Sequence, residues 1–158
     1  AYFAGGCFWG VEYYFEQVKG VKAAVSGYMG GHLNNPSYKE ICRGDTGHLE
    51  VVRVDYDSSE VSFEALCKLF FEIHDPTQAN GQGPDIGAQY LSAIFYNDEE
   101  EKEISKNLIE ILKNKGYNVV TQLISTHNTP FFEAEDYHQD YYFVHNKVPY
   151  CHSYTQRF

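Results

Sequence analysis

Cys7 holds the most reactive position this 158-residue chain offers a side chain, after Gly5-Gly6 and at the start of a helical pattern. There, free backbone N–H groups and the positive end of a helix dipole favour thiolate over thiol, so Cys7 is the expected nucleophile. Phe8 and Trp9 follow it directly, and they either line a pocket for a small apolar group or pack as ordinary core. A second sulfur, Cys151, lies between Tyr150 and His152 in an irregular C-terminal stretch. A cysteine in such a mobile tail can reach an active-site sulfur. Cys67, among Phe63, Leu66, Phe70 and Phe71, reads as core filler, and Cys42 reads as buried as well.

A carboxyl completes the chemistry. His48 to Tyr56 alternates with period two, placing Glu50 on the same face as Val52, Val54 and Tyr56. An ionised carboxylate is costly on that apolar face, which points toward the core. The seven histidines do not assemble into a metal motif: His138 and His145 could share a helical face, but no HExxH and no paired cysteines join them. The glycines of 81–87 do not open a helix in a phosphate-cradling pattern, so no nucleotide loop is read there.

These residues need a scaffold. Tyr2 to Gly5 reads as a buried strand, and Trp9 to Lys19 as a helix with Val11, Phe15 and Val18 on one stripe and Gly20 as its stop. Val21 to His32 favours strand, and Asn34 to Ser37 reads as loop. Asp57-Ser58-Ser59-Glu60 resembles a capping box ahead of a helix carrying Phe63, Leu66, Phe70 and Ile73. Residues 75–90 form a long glycine- and proline-rich loop of the kind that is usually functional. Leu91 to Tyr96 is a strand, Asp98 with Glu101 begins another helix that Gly116 ends, and Val119 to Thr126 reads as the last strand. A short helix near Ala134 to Phe143 and an irregular tail over 141–158 close the chain. The order predicts one domain over 1–158: an α+β two-layer sandwich of split βαβ, ferredoxin-like type, with an extra helix and strand.

Composition narrows the partners. Twelve basic against 22 acidic residues leave a formal charge of −10, which disfavours nucleic acid. No apolar run nears the roughly 20 residues of a membrane span. Four scattered cysteines without a CxxC suit a reducing, cytoplasmic setting, and the chain's start at Ala1 without an initiator methionine is compatible with a leader or larger parent protein ahead of it.

Taken together, the motifs resemble one family. Gly6-Cys7-Phe8-Trp9-Gly10, Gly27 to Gly31, Gly44 to Val52, His74 to Thr77, Gln89-Tyr90 with Ser92 to Tyr96, and Glu135 to Gln139 follow in the order found in peptide methionine sulfoxide reductase A. The resemblance implies that Cys7 attacks the sulfoxide sulfur and that Glu50 protonates its oxygen, with Tyr28 and Tyr90 as hydroxyl donors. It implies that Asp85 helps hold the site and that Phe8 and Trp9 receive the substrate methyl group. It further implies an S-epimer substrate, free or in proteins, with repair of oxidised proteins as the outcome. Cys151 then stands as the resolving cysteine, thioredoxin or another dithiol as reductant, and no cofactor or metal. Gly81 and Leu91 depart from the family pattern, which often has arginine there, and so change the charge around the loop.

Two other classes fit the reactive cysteine. A cysteine hydrolase would need His48 or His138 within reach of Cys7. A redox sensor would pair Cys7 with Cys151 without turnover.

Overall fold

The computed structural model describes residues 1–158. In chain order its elements are β1 (Tyr2–Gly5), α1 (Phe8–Glu16), β2 (Val21–Met29), α2 (Tyr38–Cys42), β3 (Leu49–Tyr56), α3 (Phe63–Ile73), β4 (Gly81–Gln82) and β5 (Asp85–Ile86). A 3-10 turn at Ala88–Tyr90 leads to β6 (Ser92–Tyr96), α4 (Glu99–Asn114), β7 (Gln122–Ser125) and β8 (Phe132–Glu133). A second 3-10 turn, Asp136–His138, precedes α5 (Tyr141–Val144).

Six strands form one sheet in the order β7-β6-β1-β3-β2-β8. β3 lies between β1 and β2, which is the split βαβ arrangement expected from the sequence. The central strands pair antiparallel, and β7 joins parallel to β6 after the α4 crossover. α1 packs on β2 and β3, α3 on α1 and α4, and α4 on β6. The larger apolar cluster, including Phe3, Phe15, Val52, Val54, Phe70 and Ile94, fills the space between helices and sheet. Alternate residues of the same strands, among them Met29, Leu49, Val51 and Phe95, form a smaller cluster. β3 therefore buries both of its faces near its start, and Glu50 lies on the larger-cluster side as its parity requires.

Local chemistry accounts for most boundaries. Asp98 caps α4 by accepting from the Glu101 N–H at 2.8 Å. Asp57 to Glu60 forms a turn instead of a cap, and the cap of α3 is Ser62, which accepts from the Ala65 N–H at 3.0 Å. The loop read after Asn34 ends in α2, whose capping box pairs Ser37 with Glu40 in both directions. The helix expected near Ala134 to Phe143 is broken instead into the Asp136–His138 turn and the four-residue α5. Asp140 interrupts it with left-handed backbone angles, φ 53 and ψ 34. The strand expected over Val119 to Thr126 shortens to Gln122–Ser125.

Candidate active site

The turn between β1 and α1 delivers the nucleophile. Gly6 takes φ +93, and a Cβ there would press on Gln82, so only glycine lets the chain turn this tightly into the helix. Cys7 occupies the N-cap of α1, with 7% of its surface exposed. The adjacent amide, Phe8 N–H, donates to Glu50 Oε1 at 3.2 Å. Glu50, on β3, is 1% exposed, and its Oε2 has no hydrogen-bond partner. Burial pushes its carboxyl up to about 8, against the Phe8 N–H and with the Asp85 and Cys151 charges adding to the rise. Burial on an apolar strand face thus favours the neutral carboxyl.

Cys7 itself departs from expectation. The sequence reading made it a thiolate, but its thiol is held well above the usual range, first by a hydrogen bond with Cys151, then by burial, then by Glu50. The helix start still acts through the Trp9 N–H, which lowers the pKa but is outweighed. Cys151 moves the opposite way, down to about 6, first through Cys7 and, against its burial, through His152. Negative charge on the pair is therefore favoured at Cys151, the less buried sulfur beside an imidazole, over Cys7.

Hydrogen bonds anchor the tail that carries Cys151. His152, 4% exposed, places Nε2 2.6 Å from the Gly5 carbonyl and Nδ1 3.2 Å from Cys151 Sγ. Beyond it, the Thr155 N–H donates to the Glu72 carbonyl at 2.7 Å and the Arg157 guanidinium to the Phe71 carbonyl at 2.9 Å. The tail thus wraps the body, as expected, while holding the second sulfur against the first.

The tyrosines divide. Tyr28, wholly buried on β2, donates its hydroxyl to Glu135 Oε1 at 2.9 Å, and Glu135 Oε2 accepts from the Tyr38 N–H at 2.9 Å. Its proton is therefore committed away from the site, contrary to the role expected from the sequence. Tyr90, half-buried on its 3-10 turn, faces Glu50, Asp85 and Cys7. Burial first and those charges second raise its hydroxyl. Asp85 on β5 accepts from the Tyr150 hydroxyl at 3.2 Å, tying the loop to the tail.

Phe8 and Trp9 share the roles expected for them unequally. Phe8 is 1% exposed and packs against Tyr28 and His138, with ring centroids 5.6 and 5.1 Å away. Trp9 is half-buried, stacks on Tyr141 at 3.6 Å and donates Nε1–H to His138 Nδ1 at 2.9 Å. None of the four surface cavities is lined by Cys7, Phe8, Trp9 or Glu50, so the expected aromatic pocket is not an open cavity here. The hydrolase alternative loses its base: His138 accepts from Trp9, and His48 bonds the Gly31 N–H and the Leu33 carbonyl. Cys67 is buried as read, but Cys42 is exposed. Sequence reasoning missed His152, Tyr38 and Glu135. Glu135 lay inside a quoted motif, whereas nothing local marked Tyr38.

Comparison with known proteins follows this geometry. A family profile described as peptide methionine sulfoxide reductase matches residues 1–158. A curated relative from Nautilia profundicola, described as peptide methionine sulfoxide reductase MsrA, is 50% identical over 151 residues, covering 96% of this chain and 86% of the relative. The structure of Mxr1 from Saccharomyces cerevisiae in reduced form superposes with a TM-score of 0.85 at 33% identity, covering 99% of this chain and 91% of that one. Mxr1 in complex with Trx2 shares the fold, with a TM-score of 0.62 at 23% identity over 97% of this chain and 86% of that one.

Proposed function

The chain belongs to the peptide methionine sulfoxide reductase family and is an oxidoreductase with methionine sulfoxide reductase A activity; we propose that Cys7, Glu50 and Cys151 carry that reaction through a sulfenic acid and a disulfide. The observation that carries the proposal is the buried Glu50, with one oxygen on the Phe8 amide, the other without a partner, and burial favouring its neutral form.

A sulfoxide oxygen leaves its sulfur only when it is protonated as negative charge develops. Glu50 gives its proton to that oxygen, and Tyr90 donates a hydrogen bond to it. The Cys7 sulfur attacks the sulfoxide sulfur while its own proton passes to Cys151, the more acidic thiol of the pair. The protonated oxygen leaves the substrate sulfur and bonds to the Cys7 sulfur as the transient sulfur–sulfur bond breaks, so methionine departs as a restored thioether and Cys7 is oxidised to S–OH. Cys151 then attacks the Cys7 sulfur, a disulfide forms and water leaves. A dithiol reduces the disulfide. Thioredoxin is the proposed donor, in keeping with the solved complex of the yeast relative Mxr1 with Trx2. The substrate is methionine S-sulfoxide, free or in proteins, and no prosthetic group is needed. Trp9, half-exposed and held by Tyr141 and His138, is the apolar wall for the substrate methyl group.

The test is steady-state turnover of the separated S and R epimers with thioredoxin and its reductase. Methionine should form from the S epimer alone, and equal rates for both would contradict the proposed specificity.

A further inference from the structure

We propose that His152 shuttles the proton of the disulfide-forming step, with its Nδ1 taking hydrogen from the Cys151 thiol and returning it to the hydroxide that departs from Cys7. This rests on the reading of Cys151 as the resolving cysteine.

The ring's geometry fixes its proton. Nε2 lies 2.6 Å from the Gly5 carbonyl oxygen, which can only accept, so Nε2 carries hydrogen. In the neutral ring Nδ1 is then a bare lone pair, and it lies 3.2 Å from Cys151 Sγ. The ring cannot turn away. It is buried against Gly10, where any Cβ would collide with it, and its own carbonyl accepts from the Tyr14 hydroxyl at 3.4 Å. Gly5 and Gly10 flank Cys7 in sequence, so the imidazole is anchored on the segment that holds the sulfur under attack.

Chemistry gives this lone pair a task. In the reduced enzyme Cys151 owes its acidity first to Cys7, but Cys7 has spent its hydrogen once it carries oxygen. Cys151 has by then received that hydrogen and must lose it again, and His152 is the base still in contact with it. The step balances. Cys151 S–H gives its proton to Nδ1, the thiolate forms a bond to the Cys7 sulfur, and the Cys7 S–O bond breaks. The leaving hydroxide takes the proton from Nδ1 and departs as water. The Cys7 sulfur is reduced, the Cys151 sulfur is oxidised, and the ring ends neutral. Other groups set the local charge. Cys7 faces the pair from α1, Glu50 from β3, Asp85 from β5, Tyr142 from α5, and Tyr150 from the tail itself. His74 faces the imidazole from the end of α3. Asp75 and Arg157 line a cavity of about 120 Å³ beside Cys151.

The experiment compares the full chain with His152→Gln and His152→Asn, each given one equivalent of methionine S-sulfoxide without reductant between pH 5 and 9. Methionine released and thiols lost are followed separately in quenched samples. The Gln side chain keeps a donor for the Gly5 carbonyl but offers no base to Cys151, whereas Asn gives up the anchor. In the wild type, disulfide formation should already be near its maximum at pH 6.5. In His152→Gln it should fall about tenfold there and recover only toward the ordinary cysteine range of about 8.5, the loss of thiolate being partly offset by higher nucleophilicity. A normal pH profile in His152→Gln beside a slow His152→Asn would reduce His152 to an anchor and overturn the proposal. So would a wild-type profile that rises only at about pH 8.5, whatever the variants do. Absence of released methionine from the wild type would instead strike the underlying assignment of function.

Discussion

The Phe8 amide donates to Glu50 Oε1 at 3.2 Å, so the residue that follows the proposed nucleophile, Cys7, in sequence also fixes the proposed acid in space. One short segment thereby sets the separation between the sulfur and the proton donor. The same amide lowers the Glu50 pKa, but burial outweighs it and the carboxyl stays near 8. The amide thus orients the carboxyl while burial favours its neutral form at neutral pH.

Removing the nucleophile tests the assignment at its root. Cys7→Ser should form no methionine from methionine sulfoxide with any reductant, measured by amino-acid analysis. Methionine from that variant would move the nucleophile elsewhere.

Cys151→Ser should release about one methionine per chain and then stall with thioredoxin as donor. The same substitution removes the first cause of the raised Cys7 thiol, so Cys7 should deprotonate at lower pH than in the wild type. The pH profile of iodoacetamide labelling at Cys7 reads this directly. An unshifted profile would show that the two sulfurs do not interact.

Tyr90→Phe should slow methionine release about tenfold or more, since a hydroxyl aimed at a developing oxyanion is worth up to 10² to 10³ in rate. Tyr28→Phe should act mainly through Glu135 and the start of α2, and show in thermal stability before it shows in rate. Single-turnover rates and melting temperatures of the two variants separate these roles. The reverse ranking would restore Tyr28 as the donor.

Glu50 also makes stability depend on pH. Its folded value of about 8 stands above the ordinary 4.5, so the native state binds the extra proton. Its contribution is fully favourable below about pH 4.5 and is lost as pH rises toward 8, by at most about 1.4 kcal/mol per pH unit. Glu50→Gln should therefore melt higher than wild type at pH 8, with the gap closing near pH 4.5. A constant gap across that range would mean that Glu50 is ionised in the folded chain.

Much of this site was legible in the sequence because its determinants are local. Period-two alternation put Glu50 on the apolar side of β3, and Gly5-Gly6 before an apolar stripe put Cys7 at a helix start. The state of Cys7 was not legible, because it depends on Cys151, which lies 144 positions away in sequence and is brought close by the tail. His152 hid for the same reason: its partners, Gly5 and Gly10, belong to the other end of the chain. The Tyr28 role rested on the family resemblance alone, and the Glu135 carboxylate that takes its proton could not be foreseen because it comes from a turn with weak periodicity. The four central strands followed from the order of elements, whereas α2 and the break at Asp140 rest on side-chain capping and one left-handed residue.

The central claim, a neutral Glu50 handing its proton to the sulfoxide oxygen, is tested most directly by the single-turnover rate of methionine release in Glu50→Gln across pH 6 to 9. The wild-type rate should fall as pH passes about 8, where Glu50 loses its proton. The variant should be slower by about 10² to 10⁴ at pH 7 and show no such fall. A variant rate equal to that of the wild type, or the same pH dependence in both, would contradict the account.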